Sequence, residues 1–197
     1  MTTRLRRTAT VLAAALAAGT VAASGAAADG GTTASSASGG KADEVHLKLT
    51  PSSDELADCM PDAKVRIEVK LTTDIIGFDS FQVEASGLPP DTAFTVFLLE
   101  QADSPFGAAE YIGDIFTDKK GKAENTFRLI VAEAFSSTLV DGVRVRADLN
   151  QVGMWFADPA DDDFCLGPDS PVTPFDGDDE AGVQAFNSLN TTPLPAP

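Results

Sequence analysis

Between Glu44 and Leu49 the chain alternates, with Val45, Leu47 and Leu49 on one phase and Glu44, His46 and Lys48 on the other. A period of two marks a half-buried strand, because successive side chains leave opposite faces. The clearest case runs from Lys64 to Leu71, where Val65, Ile67, Val69 and Leu71 interleave with Lys64, Arg66, Glu68 and Lys70. Phe81, Val83 and Ala85 repeat the pattern, as do Phe94, Val96 and Leu98; Tyr111 to Thr117 and Glu124 to Val131 follow, and Val143, Val145, Ala147 and Leu149 form a seventh segment. Ala132 to Leu139 reads equally as a short helix or a loop. Turn signals separate the segments: Gly87-Leu88-Pro89-Pro90-Asp91 must reverse the chain, since proline cannot donate to a ladder, and Asp118-Lys119-Lys120-Gly121-Lys122 has the composition of a hairpin loop. Seven short alternating segments of this kind predict an all-β fold, a single antiparallel β-sandwich of seven to eight strands over residues 44–188.

The flanks differ. Arg4, Arg6 and Arg7 precede an apolar, small-residue run from Val11 to Ala23, and Ala26-Ala27-Ala28 offers an A-x-A cleavage site. This is the arrangement of an export signal, predicted to occupy residues 1–28. The apolar run is shorter than the roughly 20 residues that span a bilayer, so the expectation is secretion without membrane insertion. Residues 29–43 are mostly Gly, Ser, Thr and Ala and read as a flexible leader. Residues 189–197 read as a disordered tail.

Cys59 and Cys165 are the two cysteines, and both fall in the exported part. Oxidising surroundings predict that they pair. No CxxC spacing and no neighbouring histidine supports a metal-binding or catalytic thiol.

The chain carries a formal charge of −16; loss of residues 1–28 removes three arginines and no acid, leaving eleven basic against thirty acidic residues and a charge of −19. That sign disfavours nucleic acid and anionic membranes, both of which need Lys and Arg against phosphate. After Arg146 there is no further basic residue, and the carboxylates gather in Asp158-Pro159-Ala160-Asp161-Asp162-Asp163 and Asp176-Gly177-Asp178-Asp179-Glu180. Oxygen-rich loops of this kind can hold Ca²⁺, which makes Asp176, Asp178 and Glu180 candidate ligands. Ala181 and Asn187 stand where an EF-hand needs its glycine and its bidentate glutamate. The alternative is a solvated acidic turn.

Catalytic constellations are missing from the sequence. His46 is the sole histidine and sits on the polar phase of the first strand, where a surface role is expected. GxSxG, HExxH, P-loop and GxGxxG patterns do not occur. A carboxylate pair could still hydrolyse glycans beside an aromatic platform, with Trp155 and Tyr111 as the available Trp and Tyr. Phe94 and Phe97 cannot share one face of a regular strand, so one of them is expected to serve an exposed apolar patch.

Gly87-Leu88-Pro89-Pro90-Asp91-Thr92-Ala93-Phe94-Thr95-Val96 resembles the corner of immunoglobulin-like and fibronectin type III modules, in which a tyrosine hydroxyl bonds back to the corner. Phe94 occupies the tyrosine position, so the corner is expected to rest on packing alone. The same stretch, with Ile112-Gly113-Asp114 and Asp118 to Gly121, resembles the copper/zinc superoxide dismutase sandwich; the positions of that family's strand histidines hold Thr95 and Phe97, so the resemblance implies the scaffold without its metals. As a whole the chain is similar to secreted single-domain proteins of high-GC Gram-positive bacteria, which implies export and an immunoglobulin-like sandwich but no mechanism. The reading that results is a secreted, non-catalytic binding or cell-envelope interaction module. Its alternatives are a Ca²⁺-stabilised adhesive module and a carboxylate-dependent glycan hydrolase.

Overall fold

In the computed structural model, which describes residues 44–71, 77–131, 134–174, 179–189, 191 and 194, all seven predicted segments are strands and three further strands join them. The order is β1 (Glu44–Pro51), α1 (Asp54–Cys59), β2 (Lys64–Lys70), β3 (Asp79–Ser86), β4 (Ala93–Leu99), β5 (Ala109–Phe116), β6 (Ala123–Leu129), β7 (Phe135–Val140), β8 (Val143–Asp148), β9 (Gln151–Phe156), a 3₁₀ turn (Pro159–Asp162), α2 (Asp163–Leu166) and β10 (Gln184–Asn187). The predicted signal and leader lie outside the described residues.

Eight strands form one antiparallel sheet in the order β5-β4-β9-β10-β1-β2-β3-β6, and β7 pairs with β8 alone. The expected separate layers are therefore joined. β1 makes the corner: Glu44 to Leu49 pair with β2, while Thr50 and Pro51 pair with β10. At the other end β5 and β6 come together, where Asn125 Nδ2 donates to the Asp114 carbonyl at 3.1 Å. Gly113 permits this approach; a Cβ there would lie 2.6 Å from Cε1 of Phe127. The sheet thus nearly closes into a barrel around Val65, Ile67, Phe81, Val83, Phe94, Met154, Phe156 and Phe186, all essentially without solvent exposure.

The corner departs from expectation in what fastens it. Thr117, buried, places its Oγ1 2.6 Å from the Pro89 carbonyl, to which it donates, and accepts from the Thr92 N–H at 2.9 Å. A threonine one strand away supplies the hydroxyl that Phe94 lacks, and Phe94 is free to enter the core. Packing alone does not hold the turn.

The three unpredicted strands have different causes. β9 and β10 are buried on both faces, so they show a continuous apolar run or no pattern where a half-exposed strand would alternate. Their outer face is covered by a second, smaller cluster of Phe97, Leu99, Trp155 and Ala181 with Phe106 packed on it. Phe94 and Phe97 do face opposite sides. Phe97, however, lies beneath Trp155 at 5.3 Å and beside Tyr111 at 5.9 Å between ring centroids, and is 9% exposed; it is a covered cluster and no open patch. The third, β7, belongs to the hairpin described below. Leu194, placed by sequence in the tail, is buried, and its N–H bonds to the Asn150 carbonyl at 2.8 Å.

Candidate interaction surface

Cys59 and Cys165 form the predicted disulfide, with Cα atoms 5.6 Å apart. It ties the end of α1 to α2. Ser53 caps α1, its Oγ accepting from Leu56 N–H at 3.2 Å, and Asp54 and Glu55 follow in the first turn where carboxylates suit the helix dipole. The bond therefore anchors the acidic region to the β1 side of the sheet.

Within that region the first acidic run is occupied by structural work. Asp158 caps the 3₁₀ turn by accepting from Ala160 N–H at 2.8 Å. Asp162 is fully buried and accepts from the Ser170 hydroxyl and, at 2.8 Å, from Val183 N–H. Asp161 between them is pushed above the usual carboxylate range, first by burial and then by the charges of Asp158 and Asp162. Of the Ca²⁺ candidates, Asp176 and Asp178 lie outside the described residues; Glu180 is exposed and borders a recess of about 240 Å³ with Asp158 and Asp179. The positions matched to superoxide dismutase histidines, Thr95 and Phe97, are both buried, Phe97 as a member of the aromatic cluster. Trp155 is 4% exposed, so it offers no open face for a sugar ring to stack on. His46 is on the exposed face of β1, as its phase predicted, between Glu44 and Glu68.

The most conspicuous surface feature is the β7–β8 hairpin. Its foot is held: Ala134 N–H bonds to the Val131 carbonyl at 3.1 Å, Leu149 N–H to the Ala134 carbonyl at 3.0 Å, and Ala134, Ala147 and Leu149 are buried. Beyond the foot it projects as an independent two-stranded ribbon. Asp141 and Gly142 make the turn, both with positive φ, at 52° and 79°; this is the backbone of the two-residue turn that matches the twist of antiparallel strands.

Phe135 and Leu139 lie on one face of the ribbon with Arg144 and Arg146, and Val140, Val143 and Val145 lie on the other. All five apolar side chains are between 44% and 64% exposed. Arg146 stacks over the Phe135 ring at 4.1 Å while its Nε bonds to Asp148 at 2.6 Å, and Arg144 Nη1 donates to the Ser137 hydroxyl at 2.9 Å. Both guanidinium groups are thus held against the ribbon, whose two arginines balance Asp141 and Asp148. At the foot, Phe78, Leu129, Ile130, Ala134 and Phe135 surround a recess of about 350 Å³ with Glu110. An arm of zero net charge with five exposed apolar side chains results, on a strongly acidic protein.

Alternation predicts Val143 and Val145 in a half-buried strand and does not decide Ala132 to Leu139 between helix and loop, whereas the structure exposes both valines and forms strand β7 from Phe135. The missed signal was Asp141-Gly142, a strong two-residue hairpin marker when flanked by β-formers. Alternation shows two different faces, but a ribbon standing clear of the sheet exposes both.

No protein-family model matches this chain, and no curated protein matches it.

Proposed function

We propose that this is an exported, non-catalytic binding module that engages a protein partner through the β7–β8 hairpin and the apolar recess at its foot. The observation that carries this reading is the exposure of five large apolar residues on both faces of one projecting ribbon. Isolated exposed apolar residues are ordinary, but contiguous ones mark interaction sites. The partner we infer is an extended segment of another protein. A two-stranded ribbon has two outer edges, and among the described residues neither is paired with a further strand; an added strand gains backbone hydrogen bonds along such an edge and side-chain contacts on both faces.

Export is part of the proposal. The disulfide fits an oxidising compartment, and among the described residues no helix is long and apolar enough to cross a membrane. The immunoglobulin-like grouping is proposed on the Gly87–Val96 corner and on the all-antiparallel sheet, and the separate likeness to the superoxide dismutase sandwich extends to the scaffold and not to its metal ligands. The glycan-hydrolase alternative receives no support from the buried Trp155.

The test is photo-crosslinking on producing cells, with the reactive residue placed at Val143 or Leu139 and, as a control, at Thr126 on the outer face of β6. The reading expects an adduct of defined mass from the hairpin positions, competed by the purified protein but not by a Leu139→Ser/Val143→Ser variant of unchanged melting temperature. Equal adducts from Thr126, or none from the hairpin, would overturn it.

A further inference from the structure

On the outer face of β1 and β2, Glu44, His46 and Glu68 bring three ligand-bearing side chains together. One ligating atom from each lies within 4.8 Å of the other two. His46 Nε2 is 3.0 Å from a Glu44 carboxylate oxygen, and Nδ1 is 3.8 Å from one of Glu68. Zinc bound at roughly 2.0 to 2.2 Å in a tetrahedron separates its ligands by about 3.3 to 3.6 Å. The two carboxylates stand beside different ring nitrogens, within 4.8 Å of one another, so a short swing of the exposed side chains is what brings both oxygens to the nitrogen that takes the ion.

The backbone fixes this juxtaposition. His46 and Glu68 are direct partners across β1 and β2, and Glu44 is two residues from His46 on the same face. Leu47, Ile67 and Val69 point the other way and are buried, so a one-residue slip that separated the three would also pull the core residues into water. Lys70 is bonded to one oxygen of Glu68, leaving the oxygen that faces His46. His46 and Glu68 also border a depression of about 380 Å³ in the sheet face, with Lys48, Arg66, Gln82 and Glu84 around it, which gives a hydrated ion room to enter.

We propose that Glu44, His46 and Glu68 form a binding site for Zn²⁺ or a similar transition-metal cation. The ligand chemistry selects the class. One imidazole with two carboxylates suits a borderline divalent ion, whereas Ca²⁺ requires six to eight oxygens that this face does not present. One ring nitrogen takes the ion, and rotation about the exposed glutamate side chains brings an oxygen from each. Three protein ligands leave a coordination position turned to solvent, the arrangement of an open site. The proposal is independent of the hairpin's role.

His46 is the one histidine of the chain, so its imidazole signals in a heteronuclear NMR spectrum are unambiguous. The experiment titrates zinc chloride into the purified protein, free of any polyhistidine tag, and follows those signals together with calorimetry. The expected result is saturation at one ion per chain with large shifts of the His46 ring. Affinity should fall at least roughly tenfold in His46→Ala and in Glu44→Gln/Glu68→Gln, with no change in Glu84→Gln and no movement of the ring with calcium chloride. All the altered side chains are surface groups, and a thermal melt verifies folding. Unmoved His46 signals at millimolar zinc overturn the proposal. Equal affinity in His46→Ala or in the double glutamine variant overturns it too, since zinc is then held by other carboxylates.

Discussion

Val140 and Val143 sit directly opposite each other across the Asp141-Gly142 turn, and each is at least half exposed. The turn that joins the pair decides whether the ribbon persists. A Cβ at Gly142 would meet nothing within 4 Å, yet φ there is 79°. Gly142→Ala therefore tests backbone conformation without a clash. It should cost about 1 to 2 kcal/mol of local stability, seen as faster amide hydrogen exchange across residues 135–148 with protection of β2 and β3 unchanged.

Reducing the disulfide should destabilise the whole domain, because Cys59 and Cys165 are 106 residues apart. The chain-entropy model gives roughly 4 to 5 kcal/mol for a loop of this length. A Cys59→Ala/Cys165→Ala variant, compared with the parent by urea denaturation, should show a lower midpoint. A midpoint within error of the parent would mean that α1 and α2 are held by packing alone.

Gly153 lies where β9 passes under the outer aromatic cluster. A Cβ there would be 2.5 Å from Trp155 Cζ3, 2.7 Å from Gln184 Nε2 and 2.8 Å from Leu99 Cδ1. These are side-chain atoms with little room to move, since Trp155 and Leu99 are buried. Gly153→Ala is expected to overpack the cluster at a cost of about 1 to 3 kcal/mol. Trp155 is the sole tryptophan, so a red-shifted emission maximum reports the displacement directly.

Asp161 carries the pH prediction. Burial and two neighbouring carboxylates raise its pKa in the folded state, so folding disfavours its charged form. The sign follows: its contribution favours the fold below the ordinary carboxylate pKa of about 4 and is lost as pH rises through the elevated folded value. Asp161→Asn should raise the melting temperature at pH 7, with the advantage shrinking toward zero in acid. An advantage that persists unchanged at pH 3 would assign the effect to packing.

Asp118 gives the opposite case. The Lys122 and Lys120 N–H groups donate to its carboxylate at 3.0 and 2.8 Å and hold its pKa below the usual range. The stabilisation it supplies is present above the ordinary carboxylate pKa and disappears as pH falls through the lowered folded value. Asp118→Ala should therefore lower the melting temperature at neutral pH and converge with the parent in strong acid.

Legibility in the sequence followed burial. β1, β2 and β3 bury one face and wet the other, so Leu47, Ile67 and Val83 stand out against Lys48, Arg66 and Glu84, and their phase also placed His46 correctly on the surface. β4 was found through Phe94, Val96 and Leu98, although Phe97 turned out to be covered. β9 and β10 escaped because loops cover their second face, which erases the alternation.

By itself the sequence determined the all-antiparallel β class, the paired cysteines and the absence of a recognisable catalytic motif. These depend on local periodicity, on residue type and on chain composition, none of which needs a partner in space. Tertiary structure decided the rest: that β1 joins both halves into one nearly closed sheet, that Thr117 fastens a corner 25 residues away from Thr92, and that β8 leaves the sheet to expose Val143 and Val145. It also set Glu68 opposite His46. Alternation records that a strand has two faces, whereas which of them meets water, and what stands across from it, is settled only when strands distant in sequence pack together.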